Sequence, residues 1–151
     1  MNANRKAFLD TIAHSELGAK LLANSDDGYN VIVGGTLFHD YSRHPNVRVY
    51  LPKLKIHSTA AGRYQLLYRY WLHYTKALNL VGFGKDVQDT IALQLIRECD
   101  ALDAIDAGHF TSAITKCKSR WASLPGAGYS QHENNIESLK MAYLTAGGVI
   151  V

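Results

Sequence analysis

At 151 residues, 47% hydrophobic and 19% charged, the chain is about one domain long, apolar enough to bury a core without disulfide or metal staples, and far from a disordered composition. Its net charge of +3, from 16 basic and 13 acidic residues, is scattered rather than gathered into an arm; that argues against nucleic acid and is compatible with an anionic polymer such as a bacterial cell wall. No apolar run approaches membrane-spanning length, and Cys99 and Cys117 form neither a disulfide framework nor a zinc spacing, so two partly buried free thiols are expected.

Residues 1–151 therefore read as a single domain with no membrane insertion. The N-terminal stretch "MNANRKAFLDTIAHSE" has charges where a signal peptide carries its apolar region, which predicts synthesis in the cytoplasm without an export signal. "RKAFLDTIAHSELG" reads as an amphipathic helix, with Phe8, Leu9, Ile12 and Ala13 on one stripe; the next position on that stripe is Glu16. "LLANSDDGYN" is rich in turn formers. The segment from about Tyr29 to Ile56 mixes β-branched and aromatic residues with Gly, Pro, Asn and His, and predicts a small exposed region of short strands or hairpins. Ser58 or Thr59 can cap a following helix in which Leu67, Tyr70, Trp71, Tyr74 and Leu78 recur at helical spacing, the candidate for a buried central helix.

"VGFGKD" breaks that helix. "VQDTIALQLIRECDAL" begins another, with Val87, Ile91, Leu95 and Ile96 on one face, and shorter helices follow at about Ala101 to Ala107 and in "FTSAITKCKSRW". "ASLPGAGYSQ" is a Pro/Gly loop, and "NNIESLKMAYLTAGG" a last helix closed by Gly147 and Gly148. The predicted fold class is α+β, mainly helical, with one β insertion between the first and second long helices.

Glu16 has two readings. On an apolar stripe near a helix end it is partly desolvated and meets the negative end of the helix dipole, both of which favour the protonated form that a general acid needs near neutral pH. Alternatively it sits in a frayed last turn beside Gly18 and points into water; periodicity alone favours this second reading. In "STAAGRYQLL" the small residues and Gly62 let the backbone approach a neighbour or ligand, while Tyr64 and Gln65 offer a flat ring and an amide suited to sugar rings and their N-acetyl groups; packing explains the same pattern. In the loop after Trp121, Tyr129 and Gln131 either close over an extended ligand or belong to an ordinary surface connection. The seven histidines show no metal spacing, and no G-x-S-x-G elbow supports a serine triad. No metal and no cofactor are expected.

"RKAFLD", "SE", "GYNVIVGG", "LFHDYSRHP", "STAAGRYQLL", "QDTIALQLI", "WASLPGAGYSQ" and "AGG" occur in the order and approximate spacing of the lambda-type phage endolysins, which the chain resembles over nearly its whole length. The resemblance implies a lysozyme-like fold with a small β region forming one side of a saccharide cleft. It implies lytic transglycosylase activity on the β-1,4 bond between N-acetylmuramic acid and N-acetylglucosamine of peptidoglycan, giving 1,6-anhydromuramyl ends, with Glu16 after Ser15 as the catalytic acid. It places Tyr64 and Gln65 on the cleft floor, Ser58 near the entry to the central helix, Asp40 and Tyr41 on the β side, and Tyr129 and Gln131 on a lip opposite residues Val47 to His57. Arg63 takes a structural or wall-charge role.

The expected partner is the peptidoglycan glycan strand, reached in the periplasm after a holin opens the inner membrane, and the chain is expected to be a monomer. Three departures from the family pattern stand out: Asn30 where relatives usually carry Asp, "SELG" in place of "SEG", and an aromatic run "YRYWLHY" that is similar but not identical. A hydrolytic muramidase is the nearest alternative. It would need a second carboxylate, for which Asp26, Asp27 and Asp40 are the candidates; a non-catalytic wall-binding protein is a further alternative.

Overall fold

The computed structural model describes residues 1–128 and 133–151. Six helices and one small sheet follow in chain order: α1 (Ala3–Ala23), β1 (Val49–Leu51), β2 (Ile56–Ser58), α2 (Tyr68–Ala77), α3 (Lys85–Glu98), α4 (Leu102–Asp106), α5 (Phe110–Cys117) and α6 (Ile136–Thr145). They divide between two compact units. One comprises residues 1–16 with 93–151, the other residues 17–92.

The first unit is helical. Phe8, Leu9, Ile12 and Ala13 of α1 are buried, as their spacing predicts, together with Ala7, Ile105, Phe110, Ile114, Trp121, Leu124, Leu139 and Tyr143. The ring of Phe110 lies between those of Phe8 and Tyr143, at 6.3 and 4.7 Å, contacts that add to the area each ring removes from water. Asn135 caps α6 by accepting a hydrogen bond from the Ser138 backbone N–H. Cys117 is buried and Cys99 half-buried, both free thiols. The predicted end of α1 is only partly realised: Gly18 adopts φ 79°, ψ 157°, outside helical space, yet the chain resumes helix and runs on to Ala23.

The second unit carries the β region. β1 and β2 pair antiparallel with Val49 opposite Ser58 and Leu51 opposite Ile56, and isolated bridges join Val31 to Leu37 and Ile32 to Ala61. Beneath them Phe38, His44 and Trp71 surround the buried ring of Phe83. The helix expected from Ser58 starts ten residues later, at Tyr68. Gly62 at φ +83° and Gln65 at φ +53° turn the intervening chain, which no helix accommodates. Thr59 does cap α2, but from a distance: its Oγ1 accepts from the Tyr68 N–H at 3.0 Å. Nor is α2 the buried central helix, since Tyr74 is its one buried residue. On α3, Gln88 takes the core position next to Ile91, Ala92, Leu95 and Ile96, and Val87 is only half-buried.

Candidate active site

In the first unit, α1 presents Ser15 and Glu16 to the segment that follows Trp121. Ser123 donates its hydroxyl to Glu16 Oε2. Ser15 Oγ lies 2.8 Å from Ser123 Oγ, and Asn134 Nδ2 donates to Ser15 Oγ at 3.2 Å and to the Ser15 carbonyl at 2.9 Å. An amide nitrogen only donates and each hydroxyl has one proton, so the bonds run one way: Asn134 to Ser15, Ser15 to Ser123, Ser123 to Glu16. Both serines are buried and Glu16 is half-buried.

The carboxyl of Glu16 is raised from 4.5 to about 7. Burial, which disfavours the charged form, is the cause; the hydroxyl and backbone N–H of Ser123 pull the other way and fall short. The protonatable reading of Glu16 thus has the geometry it requires, and the frayed, solvated one does not. The loop beyond Leu124 is held at its start by Glu133, whose two carboxylate oxygens accept the Gly126 and Gly128 N–H groups at 2.9 Å each. Tyr129 and Gln131 lie outside the described residues.

The second unit holds the other predicted residues. Tyr64 is 5% exposed, and its hydroxyl donates to Asp89 Oδ1 at 2.5 Å, where Tyr29 also donates at 2.9 Å. Burial and the neighbouring Asp89 hold the Tyr64 phenol protonated well above its ordinary range, although Arg63 opposes them. Arg63, buried between the rings of Tyr29 and Tyr64, donates Nε to the Asp27 carbonyl at 2.9 Å and pairs with the Asp27 carboxylate at 3.4 Å; its role is structural. Gln65 spends its amide N–H groups on the carbonyls of Gly62 and Val31, at 2.9 and 3.3 Å, leaving Oε1 as an acceptor.

Tyr41 donates to Asp26 Oδ2 at 2.7 Å, and the other oxygen of Asp26 takes Lys85 at 2.9 Å. Asp40 is exposed and accepts the Ser42 backbone N–H at 2.8 Å. Asn30 is buried and its Oδ1 accepts the Asp26 N–H at 2.9 Å, a role that needs only an acceptor and that an amide fills. Ser58 lines a pocket with Arg48, His57, Thr59, Leu67, Tyr68 and Arg69. Among the described residues no three His, Cys, Asp or Glu side chains gather as a metal site.

Sequence reasoning missed Ser123, Asn134 and Asp89. Ser123 stood inside "WASLPGAGY", but nothing in the sequence ties it to a residue 107 positions away. Asp89 lies two residues before Ile91 in a segment read for its apolar face.

The Endolysin family profile matches residues 6–150. The endolysin of Escherichia phage lambda is 51% identical over 154 residues, covering 99% of this chain and 95% of that protein. The endolysin of Escherichia phage P2 is 47% identical, covering 97% and 94%. Among solved structures, bacteriophage lambda lysozyme complexed with a chitohexasaccharide superposes with a TM-score of 0.95 at 48% identity, over 100% of this chain and 98% of that one. A second structure of lysozyme from bacteriophage lambda gives 0.91 at 47% identity, with the same coverage.

Proposed function

The chain belongs to the Endolysin family, and from that premise we propose that it degrades bacterial peptidoglycan as a lytic transglycosylase, with Glu16 as its one catalytic carboxyl. The observation that carries this reading is a half-buried carboxyl raised to about 7, so that a large fraction is protonated at neutral pH and it can act as acid and then as base. Glu16 protonates the oxygen of the β-1,4 bond between N-acetylmuramic acid and N-acetylglucosamine, and the C1–O bond breaks. The 2-acetamido group stabilises the cationic centre. The muramic C6 hydroxyl closes on C1 while the ionised Glu16 takes its proton, restoring the acid and leaving a 1,6-anhydro end.

A hydrolytic course would need a second carboxylate to ready a water. Of the three sequence candidates, Asp26 is tied to Lys85 and Tyr41 and Asp27 to Arg63, while Asp40 is exposed, accepts the Ser42 N–H and is assigned to a sugar contact. This supports the one-carboxyl reading. Gln65 Oε1, Asp40 and Tyr41 are assigned to sugar contacts, Ser58 to a substrate contact at the exit of β2, Tyr64 to the cleft floor with its hydroxyl held by Asp89, and Tyr129 and Gln131 to the lip. Residues 1–151 act as one catalytic domain and as a monomer. No helix among the described residues is long and apolar enough to cross a membrane, so passage to the periplasm is assigned to a separate holin.

Two measurements test the reading. Glu16→Gln is expected to abolish clearing of cell-wall suspensions, and a mutant that clears as fast as the wild type overturns the assignment. Mass spectrometry of the released fragments is expected to show anhydro ends; ends heavier by one water establish a muramidase instead.

A further inference from the structure

The pocket of about 340 Å³ at the exit of β2 has a lining that is donor-rich and free of carboxylates: Arg48, His57, Ser58, Thr59, Leu67, Tyr68 and Arg69. Its volume falls in the range of small-ligand sites, about 300–1,000 Å³. The fold brings the two arginines together by two separate devices. Register sets Val49 opposite Ser58, which places Arg48 level with Thr59; the hydrogen bond from the Tyr68 N–H to Thr59 Oγ1 brings the first turn of α2, and Arg69 with it, to the same strand end.

Both arginines are exposed, and among the described residues neither enters an ion pair; Arg69 rests its guanidinium over the exposed ring of Tyr70, 5.0 Å from its centroid, and meets the Tyr70 hydroxyl at 3.5 Å, with no carboxylate to neutralise it. The two hydroxyls are likewise polarised. Ser58 Oγ accepts the Ala60 N–H at 3.1 Å and Thr59 Oγ1 accepts that of Tyr68, so each still has its own proton to donate. A neutral sugar asks for acceptors as well as donors; two guanidinium forks and two hydroxyl protons ask for an anion, and planar guanidinium suits a carboxylate above all. Leu67 and Tyr68 add an apolar wall.

We propose that this pocket is a specificity site in which Arg48 and Arg69, with the hydroxyls of Ser58 and Thr59, hold a carboxylate of the peptide carried by the muramic acid. The inference rests on the lytic reading above and deepens it: the enzyme distinguishes peptide-bearing glycan from bare glycan. A bare N-acetylglucosamine oligomer has no group for this site.

The test compares purified glycan strands bearing their stem peptides with the same strands stripped by an amidase, which removes the peptide carboxylates and leaves each muramic acid only its own lactyl carboxylate, using the wild type, Arg48→Gln, Arg69→Gln and the double variant, with circular dichroism to verify folding. For the double variant KM on peptide-bearing strands is expected to rise about tenfold, the loss of one to two charge-assisted contacts. On stripped strands its KM is expected to move less than twofold, and the wild type's preference for peptide-bearing strands to disappear. Equal KM changes on both substrates, or none on either, overturn the site while leaving the lytic reading intact. Failure of the wild type to cut either substrate overturns the lytic reading, and the site falls with it.

Discussion

Ser123 gives Glu16 both its hydroxyl and its backbone N–H, and both bonds favour the carboxylate over the acid. Removing the hydroxyl therefore raises the pKa further. A hydrogen bond to a charged group is worth about 1.5–3 kcal/mol, or about one to two pH units, so in Ser123→Ala the alkaline limb of the kcat/KM profile is expected to move up from about 7 by one unit or more. A limb that stays in place shows that the titrating group is not Glu16. Periodicity marked Glu16 as a carboxylate on the apolar stripe of α1 but by itself favoured a solvated side chain; the family resemblance gave it the role of acid. The partners that tune it were not legible, since Ser123 and Asn134 are joined to α1 across more than a hundred residues by bonds that leave no local pattern. Tyr64 shows the converse: its ring and the following amide suggested a sugar platform, while its buried hydroxyl serves Asp89.

At the scale of elements, α1, α5 and α6 were legible because each buries residues at helical spacing. The Ser58–Leu67 stretch was not: small residues ahead of an aromatic run look like the first turns of a helix, but positive φ at Gly62 and Gln65 makes them a turn. Gly62 is where the backbone approaches a neighbour as its type suggested, and the neighbour is Gln88 of α3. That side chain accepts the Arg63 N–H at 2.9 Å and donates to the carbonyls of Tyr29 and Phe83, at 3.0 and 2.9 Å. A Cβ on residue 62 would stand 2.4 Å from Gln88 Oε1 and 2.9 Å from the Phe83 ring, at φ +83°. Gly62→Ala must therefore displace a buried amide that holds three backbone groups and adopt a left-handed conformation as well. The expected cost is about 2–4 kcal/mol, read as a lower urea midpoint with an unchanged slope; a midpoint within error of the wild type removes Gln88 as the tie between α3 and the turn.

Over the whole molecule, two titratable side chains set opposing pH slopes on folding stability. His44 is buried, accepts the Asn46 N–H at Nδ1 and donates Nε2–H to the Leu66 carbonyl at 2.8 Å, the neutral tautomer, and burial holds its pKa below 6.5. The unfolded chain takes up a proton near 6.5 that folded His44 refuses, so stability falls as pH drops below that value. Glu16 acts in the reverse sense. Its pKa is 4.5 unfolded and about 7 folded, so between those values the unfolded chain releases a proton that the native chain retains, and stability falls as pH rises. Below 4.5 both forms are protonated and the effect vanishes; above 7 it is complete. Glu16→Gln removes this contribution alone, since His44 and the paired carboxylates are common to both proteins and cancel in the difference. The variant is expected to match the wild type near pH 4 and to exceed it by about 2–3 kcal/mol near pH 8.5, a gain of about 4–10 °C in calorimetric Tm. A stability difference that does not change across that interval means that the Glu16 carboxyl is not desolvated in the folded chain, and the acid role assigned to it loses its physical basis.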